Sequence, residues 1–261
     1  MLAKNHRYSP KTMAGQPSEN LLQFRSDPNS NFWLPSNVQL IGDRLHLALY
    51  NNPDLAPTVH DIDAGTISPV WCCAEAAITN VPLLQYGRIS VDVHCYGHSL
   101  NAHSPSKWTS FMGNRNVVFR IFTYRHNASC FGEIDLFQTM SSSMTRGGSS
   151  QSDDGSNAQF SVQKRKIKGN VKRIAVDFED LKTLSVAMDW GQNEIRWTAT
   201  DKERDRVIAE WTYSDSENIP IPSDELFLHF NLWSRGGPAD GKLRHVAVSN
   251  VVYTPVSEFT E

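Results

Sequence analysis

The chain has 261 residues, of which 39% are hydrophobic, and its 25 basic and 28 acidic side chains give a formal net charge of −3. This balance gives no electrostatic reason to expect a nucleic-acid partner, and no apolar run is long enough to cross a membrane. We therefore expect an ordinary soluble globule that binds neither nucleic acid nor a membrane.

Short runs of alternating apolar and polar residues recur along the chain. In chain order the clearest runs are Leu45 to Leu49, Arg88 to His94, Val117 to Tyr124, Lys182 to Met188 and Leu226 to Leu232. Clusters of Gly, Pro, Asn and Asp separate them, which is typical of β-strands in sheets that pack face to face. The pattern predicts an all-β sandwich. At this length such a sandwich commonly forms one domain, here residues 1–261, with residues 1–20 a candidate irregular N-terminal segment.

The segment Glu133–Gln138, with the sequence EIDLFQ, carries two acidic residues on one face of a predicted strand. Because side chains two apart point the same way, Glu133 and Asp135 would line a cleft while the residues between enter the layer behind. A plain pleat would put Phe137 next on the cleft face, whereas a β-bulge after Asp135 would put Gln138 there. Neither side chain can transfer a proton near neutral pH. A retaining glycosidase needs a carboxylate nucleophile and a second carboxyl group about 5–5.5 Å away, so the acid is missing.

Other charged and histidine clusters give weaker signals. The basic run from Lys164 to Lys168, with Lys172 and Arg173, is interpreted as a solvated sheet edge, because exposed lysines protect strand edges from pairing. A binding role for this run would favour an anionic polysaccharide. The scattered histidines His94, His98 and His103 lack the geometry and the further ligands of a zinc site. We therefore predict no metal and no cofactor.

Further stretches accompany the acidic segment in a fixed order. They are Phe32 to Val38 with Asp43 to Leu47, Ala74 to Ala76 with Tyr86 to Val91, Phe122 to Tyr124, Met188 to Trp190 with Ile195 to Trp197, and Phe230 to Trp233 with Gly236 and Gly237. This series resembles glycoside hydrolase family 16, the laminarinase, lichenase and carrageenase group, whose catalytic strand reads E-x-D-x-E or, with a bulge, E-x-D-x-x-E. The resemblance implies a concanavalin A-like β-jelly roll, a sandwich of two curved antiparallel sheets with a glycan groove across the concave face.

The resemblance also implies roles for individual residues. Glu133 would attack the anomeric carbon, Asp135 would hold the neighbouring charges by hydrogen bonding, and Gln138 would occupy the place of the acid/base. Aromatic rings stack on the C–H faces of sugars, and carboxylates and amides bind their hydroxyls. The residues that the resemblance assigns to substrate binding are Tyr124, Phe131 and Trp233 for stacking, and Asn37, Glu75 and Asn231 for hydrogen bonding.

Two departures from the family pattern affect these expectations. The arginine that often follows the hairpin glutamate by two residues is Ala77 here, which would leave Glu75 without its usual cation. Where several relatives carry a calcium-binding aspartate in the last strand, this chain has Ser249, so we expect no calcium there.

Three functions remain open at this point. The leading hypothesis is a retaining β-glycan endo-hydrolase or transglycosylase of polysaccharide degradation, impaired as written because Gln138 replaces the acid. The second is a lectin-like protein that binds glycans without hydrolysis. The third is a repurposed intracellular catalyst that acts on a non-sugar ligand, with Glu133 or Asp135 as general base. The expected partner is a β-linked polysaccharide or oligosaccharide, and the sequence gives no oligomeric state.

The cellular location depends on the start of the chain. Residues Met1 to Arg7 lack the apolar core of a secretory signal. By the family resemblance the protein would be extracellular or periplasmic if a leader has been removed. It would be cytoplasmic if the chain is complete.

Overall fold

A computed structural model gives the fold of the chain. The residues that it describes are 8–10, 32–33, 35–51, 71–78, 84–95, 109–110, 116–125, 132–139, 156–163, 165, 167–178, 180–222, 226–234, 237–238 and 241–256. Within these ranges the chain forms strands and turns, with one short 3₁₀ turn at Pro35–Asn37. No helix in the same ranges is long and apolar enough to span a membrane.

Sixteen strands lie within the described ranges. In chain order they are β1 Tyr8–Pro10, β2 Phe32–Trp33, β3 Val38–Ile41, β4 Arg44–Asn51, β5 Trp71–Ile78, β6 Gly87–His94, β7 Thr109–Ser110, β8 Val117–Arg125, β9 Ile134–Thr139, β10 Ala158–Val162, β11 Val171–Ile174, β12 Thr183–Trp190, β13 Ile195–Asp201, β14 Arg206–Tyr213, β15 Leu226–Ser234 and β16 Arg244–Pro255. The two-residue turn between β3 and β4 begins at Gly42, whose positive φ of 63° suits glycine.

The strands form one continuous hydrogen-bonded path, which divides into two sheets at the short pairing of β4 with β5. The first has the spatial order β11-β10-β9-β8-β15-β5, and the second has the order β4-β16-β6-β12-β13-β14. The short strands β1 and β2 join the first sheet at β5, while β3 and β7 join the second at β4 and β16. Pairing is antiparallel except for β2 with β5 and β7 with β16. The ends of β4 and β5 also pair, so the two sheets meet along one side.

The hydrophobic core lies between the two sheets. Alternate residues such as Leu45 and Leu47 of β4 are fully buried, as period-two burial requires. Across the interior, Phe160 of the first sheet stacks on Trp197 of the second, with ring centroids 6.1 Å apart. Two tryptophans of the second sheet, Trp190 and Trp197, are also buried in this core.

The fold prediction is confirmed. The five predicted strands coincide with β4, β6, β8, β12 and β15, and two curved, largely antiparallel sheets form the expected jelly-roll sandwich. The single-domain prediction also covers residues outside the described ranges and stays a prediction.

Candidate functional site

A β-bulge lies in β9, the strand with the acidic segment. On the neighbouring strand β8, Arg120 faces Gln138 and Phe122 faces Asp135, so three residues of β8 oppose four residues of β9. The same slip occurs against β10 on the other side. The extra residue turns Phe137 into the hydrophobic core and puts Gln138 on the same face as Asp135. Of the two arrangements that the sequence left open, the structure has the bulged one.

The two alternative residues have different surroundings. Phe137 is fully buried and meets Phe178 edge to face, with ring centroids 6.5 Å apart. Gln138 is also buried, and its Oε1 accepts a hydrogen bond of 3.1 Å from Nε2 of Gln159 on β10. Position 138 therefore belongs to the polar side of the first sheet.

Asp135 is fully buried and both of its carboxylate oxygens are occupied. Oδ1 accepts hydrogen bonds from Nε and Nη2 of Arg120, at 3.1 and 2.5 Å. Oδ2 accepts from Nη2 of Arg165, at 2.6 Å, and from the hydroxyl of Ser161. Burial alone would raise the pKa of Asp135, but the two guanidinium charges and the Ser161 hydrogen bond outweigh it and hold the pKa below its usual range.

Glu133, just before β9, is held through one carboxylate oxygen. Its Oε1 accepts hydrogen bonds from Arg120, from Nη2 of Arg165 at 3.2 Å and from Nε2 of Gln163 at 3.0 Å. The other oxygen, Oε2, has no hydrogen-bond partner among the described residues. The side chain of Glu133 is 12% exposed, whereas that of Asp135 is inaccessible. Glu133 is thus the carboxylate that can still meet a ligand.

Four formal charges therefore meet on the face of the first sheet that points away from the core. Arg120 lies within β8 with its guanidinium 4.2 Å above the ring centroid of Phe122, and Arg165 follows β10. Burial lowers the pKa of Arg120, but the charges of Asp135 and Glu133 outweigh it and raise the pKa above its usual value. We call Arg120, Arg165, Glu133 and Asp135 the charge cluster. It can hold a carboxylate in place, but Gln138 beside it cannot supply a proton.

Cross-strand register brings two predicted sugar-binding residues into line with this cluster. The residues that face one another on six neighbouring strands are Arg173, Gln159, Gln138, Arg120, Asn231 and Glu75. Trp233 lies two residues beyond Asn231 on β15, so it shares that face, and it is half-buried against the core. Tyr124, on the same side of β8, meets Phe122 edge to face. Their predicted contacts with sugars stay predictions.

Glu75 has a histidine partner rather than the arginine of the family pattern. Nδ1 of His229 on β15 lies 3.1 Å from Oε1 of Glu75. His229 faces Ala77 directly across the strands, so the small side chain at 77 leaves room for the imidazole ring. His229 thus pairs with Glu75 across the strands.

Two other predicted residues do not join the cluster. Asn37 is buried, and its Nδ2 donates to the backbone carbonyls of Ala48, Cys72 and Cys73, at 3.2, 2.9 and 3.2 Å. This geometry favours a structural role for Asn37, in which its side chain links β4 to β5, over the predicted contact with a sugar hydroxyl. Phe131 lies outside the described residues.

Sequence reasoning missed the two arginines of the charge cluster. Arg165 was interpreted as part of a solvated edge, which is wrong for this residue because it turns inward to Glu133 and Asp135. Its neighbours Lys168 and Lys172 are exposed as expected. Arg120 had a detectable signal, since it is a single charge inside the apolar run from Val117 to Tyr124.

No metal site is evident in the part of the chain that the structure describes, where no three His, Cys, Asp or Glu side chains form a suitable group. Ser249, at the position compared with a calcium-binding aspartate, lies with its hydroxyl 2.8 Å from Nε2 of His94. The cluster carboxylates already bind arginines.

Comparisons with known proteins support the fold. No family model and no curated protein matches the sequence. Among solved structures, a lichenase from a mouse hindgut metagenome is 17% identical, with 96% of this chain and 94% of that chain covered and a TM-score of 0.58. The Bacillus licheniformis β-glucanase is 18% identical, with 96% and 94% covered and a TM-score of 0.55.

A third similar structure is the glycoside hydrolase family 16 endo-glucanase from Bacteroides ovatus, solved in complex with G4G3G-2F-DNP. It is 12% identical, with 94% of each chain covered and a TM-score of 0.55. Likeness at these identities concerns the fold, which these proteins share over nearly their whole length. The chain has the β-jelly-roll fold of the family 16 glucanases.

Proposed function

We propose that this protein binds a β-linked glycan in the groove of its first sheet, at a retaining glycosidase site whose hydrolysis is impaired. One observation carries the proposal. The bulge of β9 puts Glu133, Asp135 and Gln138 on one face, in the spacing of a bulged catalytic strand, and Oε2 of Glu133 has no hydrogen-bond partner among the described residues. The chain keeps a nucleophile and lacks an acid.

The geometry suits the first half of a retaining reaction. Oε2 of Glu133 would form a bond to the anomeric carbon while the bond from that carbon to the leaving oxygen breaks. Arg120 and Asp135 would keep the carboxylate oriented, since Arg120 bonds both acids. The departing sugar oxygen needs a proton, which an amide at 138 cannot give. Loss of a general acid typically costs about 10²–10⁴ in rate, so polysaccharide hydrolysis should be very slow.

The similar structures agree with a glycan ligand. The Bacteroides ovatus enzyme is named an endo-glucanase, and the other two are named a lichenase and a β-glucanase. Their shared fold supports a β-glycan as the ligand class for this chain. The linkage and the monosaccharide depend on loops, which vary most within a fold.

The test is to restore the acid. Gln138→Glu and the unchanged chain would be compared on β-1,3, mixed-linkage and sulfated galactan polysaccharides by release of reducing ends. We expect the variant to gain about 10²–10⁴-fold on one polysaccharide class. Gln159→Glu is the matched control, because it makes the same chemical change at the hydrogen-bonded neighbour of Gln138. Equal gains in hydrolysis for both variants, or no hydrolysis of any glycan by either variant, would refute the hydrolase site.

A lectin-like function is the second candidate. It is favoured by the complete burial of Asp135 and Gln138 and by the two arginines that bind Glu133. Aryl glycosides with activated leaving groups separate the candidates, because such groups leave without a proton. A covalent adduct on Glu133, detected by mass spectrometry, supports the nucleophile. Retardation in a glycan-containing native gel with no adduct supports the lectin. If neither an adduct nor retardation is seen, the remaining candidate is a non-sugar ligand.

A further inference from the structure

The bulge in β9 is tied to the opposite sheet by one hydrogen bond. Nε1 of Trp197, on β13, donates to the backbone carbonyl of Asp135 at 3.1 Å. Asp135 lies at the point where β9 slips against both neighbouring strands. We propose that Trp197 is a positioning residue that holds the bulge and thereby puts position 138, rather than position 137, on the groove face. Its effect on the reaction rests on the function proposed above.

A bulge interrupts the ladder of strand hydrogen bonds, and the freed carbonyl needs another donor. In the dry interior between two sheets, a backbone carbonyl left unpaired costs free energy comparable to a lost hydrogen bond. The indole N–H of Trp197 meets this need at the residue where the strand changes register. The donor therefore stabilises the bulged arrangement relative to a regular pleat, which would pair the carbonyl with a neighbouring strand.

The donor itself is rigid. Trp197 is almost inaccessible to solvent, and it is stacked on Trp211 with ring centroids 4.5 Å apart and an interplanar angle of 21°. On the first sheet it faces Phe160, which lies between Gln159 and Ser161 on β10. Because the ring is fixed from both sides, its N–H can define where the carbonyl of Asp135 lies. The packing of the interior thus sets the order of side chains in the groove.

The two possible arrangements of β9 have opposite consequences for the site. With the bulge, Phe137 packs against Phe178 in the core and Gln138 joins the polar face. A regular pleat would put Phe137 in the groove and bury the amide of Gln138 among apolar side chains. Position 138 could then neither replace the acid nor hold one in the Gln138→Glu variant.

The test removes one N–H and keeps the ring. Site-specific replacement of Trp197 by benzothienylalanine puts sulfur in place of Nε1 at nearly constant size, and the same replacement at Trp211 is the matched control. The first readout is the ring-to-ring NOE between Phe137 and Phe178. The second is kcat and KM in the Gln138→Glu background. We expect the Trp197 replacement to weaken the NOE and lower kcat about 10- to 100-fold with little change in KM, and the control to do neither.

Several outcomes would overturn the inference. An intact NOE with unchanged kcat would mean that Trp197 only packs, whatever the melting temperature does. Loss of the NOE in both replacements would assign the effect to ring packing rather than to the donor. A weakened NOE with unchanged kcat would remove the positioning role. A different result would separate the two proposals. If Gln138→Glu shows no activity while the NOE changes only for the Trp197 replacement, the proposed function fails, but the role of Trp197 in holding the bulge is supported.

Discussion

Two polar regions of the molecule differ in how their side chains are bonded. On the side of the second sheet that faces away from the core, polar residues form separate cross-strand pairs. Nδ1 of His46 and Nε2 of His245 lie 2.8 Å apart, and His94 meets Ser249 at the same distance. Each pair joins neighbouring strands, which is how ordinary sheets bury polar groups.

The side of the first sheet that faces away from the core has a different arrangement. Two carboxylates, Asp135 of β9 and Glu133 just before it, and two arginines from different segments converge on one point. Asp135 is saturated with donors, while Glu133 keeps Oε2 without a partner among the described residues. A polar pair by itself therefore says little about function. Convergent charges around an accessible carboxylate oxygen distinguish a candidate site from scaffold.

Breaking the charge cluster should have the largest effect on stability. Arg120→Met keeps much of the apolar stem but removes the cation that bonds both acids, which leaves Asp135 buried beside Arg165 alone. Breaking a buried ion pair from one side typically costs about 3–5 kcal/mol. Urea denaturation of both proteins would measure the change in the free energy of unfolding. A loss under about 1 kcal/mol would place the cluster with ordinary surface pairs.

Low pH should reduce the stability that the charge cluster gives the fold, because Asp135 becomes protonated. Its pKa is held below the ordinary value of about 3.9, so its ionised form stabilises the folded state above that value. This contribution falls as the pH drops from about 5 through the folded pKa, because the unfolded state then binds the proton more readily. We expect the unfolding free energy of the unchanged chain to fall more steeply below pH 5 than that of Asp135→Asn. Parallel pH profiles would contradict this linkage.

The sequence predicted those features that depend on short-range patterns. Alternation located β4, β6, β8, β12 and β15, and the two-residue spacing of Glu133 and Asp135 put both acids on one face. The features it missed depend on distant contacts. The choice of Gln138 over Phe137 involves Trp197, 62 positions away from Asp135 along the chain. The partner of Glu75 comes from His229, 154 positions away. Neither contact leaves a local pattern.

A buried carboxylate of the second sheet offers the sharpest comparison. Asp92 accepts hydrogen bonds from Lys202 and from Nδ2 of Asn250, the latter at 2.7 Å. Burial raises the pKa of Asp92, but these hydrogen bonds and the Lys202 charge outweigh it and lower the pKa. Asp92→Asn should cost about 1.5–3 kcal/mol, since hydrogen bonds to a charged group are lost and only one cation is involved. Urea denaturation of Asp92→Asn and Arg120→Met would compare their losses in the free energy of unfolding. A larger loss for Asp92→Asn would contradict the prediction that the charge cluster contributes more.

An exposed ion pair of the second sheet should have the smallest effect. Nη1 of Arg88 lies 2.7 Å from Oδ2 of Asp189 and 2.8 Å from its Oδ1, only slightly longer than the 2.6 Å between Arg165 and Asp135. Both side chains are nearly half exposed, at 45% and 44%, so water and salt screen the attraction. Arg88→Ala should therefore cost only about 0.2–1 kcal/mol, and less at high salt. Asp189→Ala and the double variant complete a thermodynamic cycle that isolates the coupling between the two charges. A coupling as large as the loss in Arg120→Met would mean that burial and the convergence of charges do not make the charge cluster stronger than an exposed pair at a similar distance.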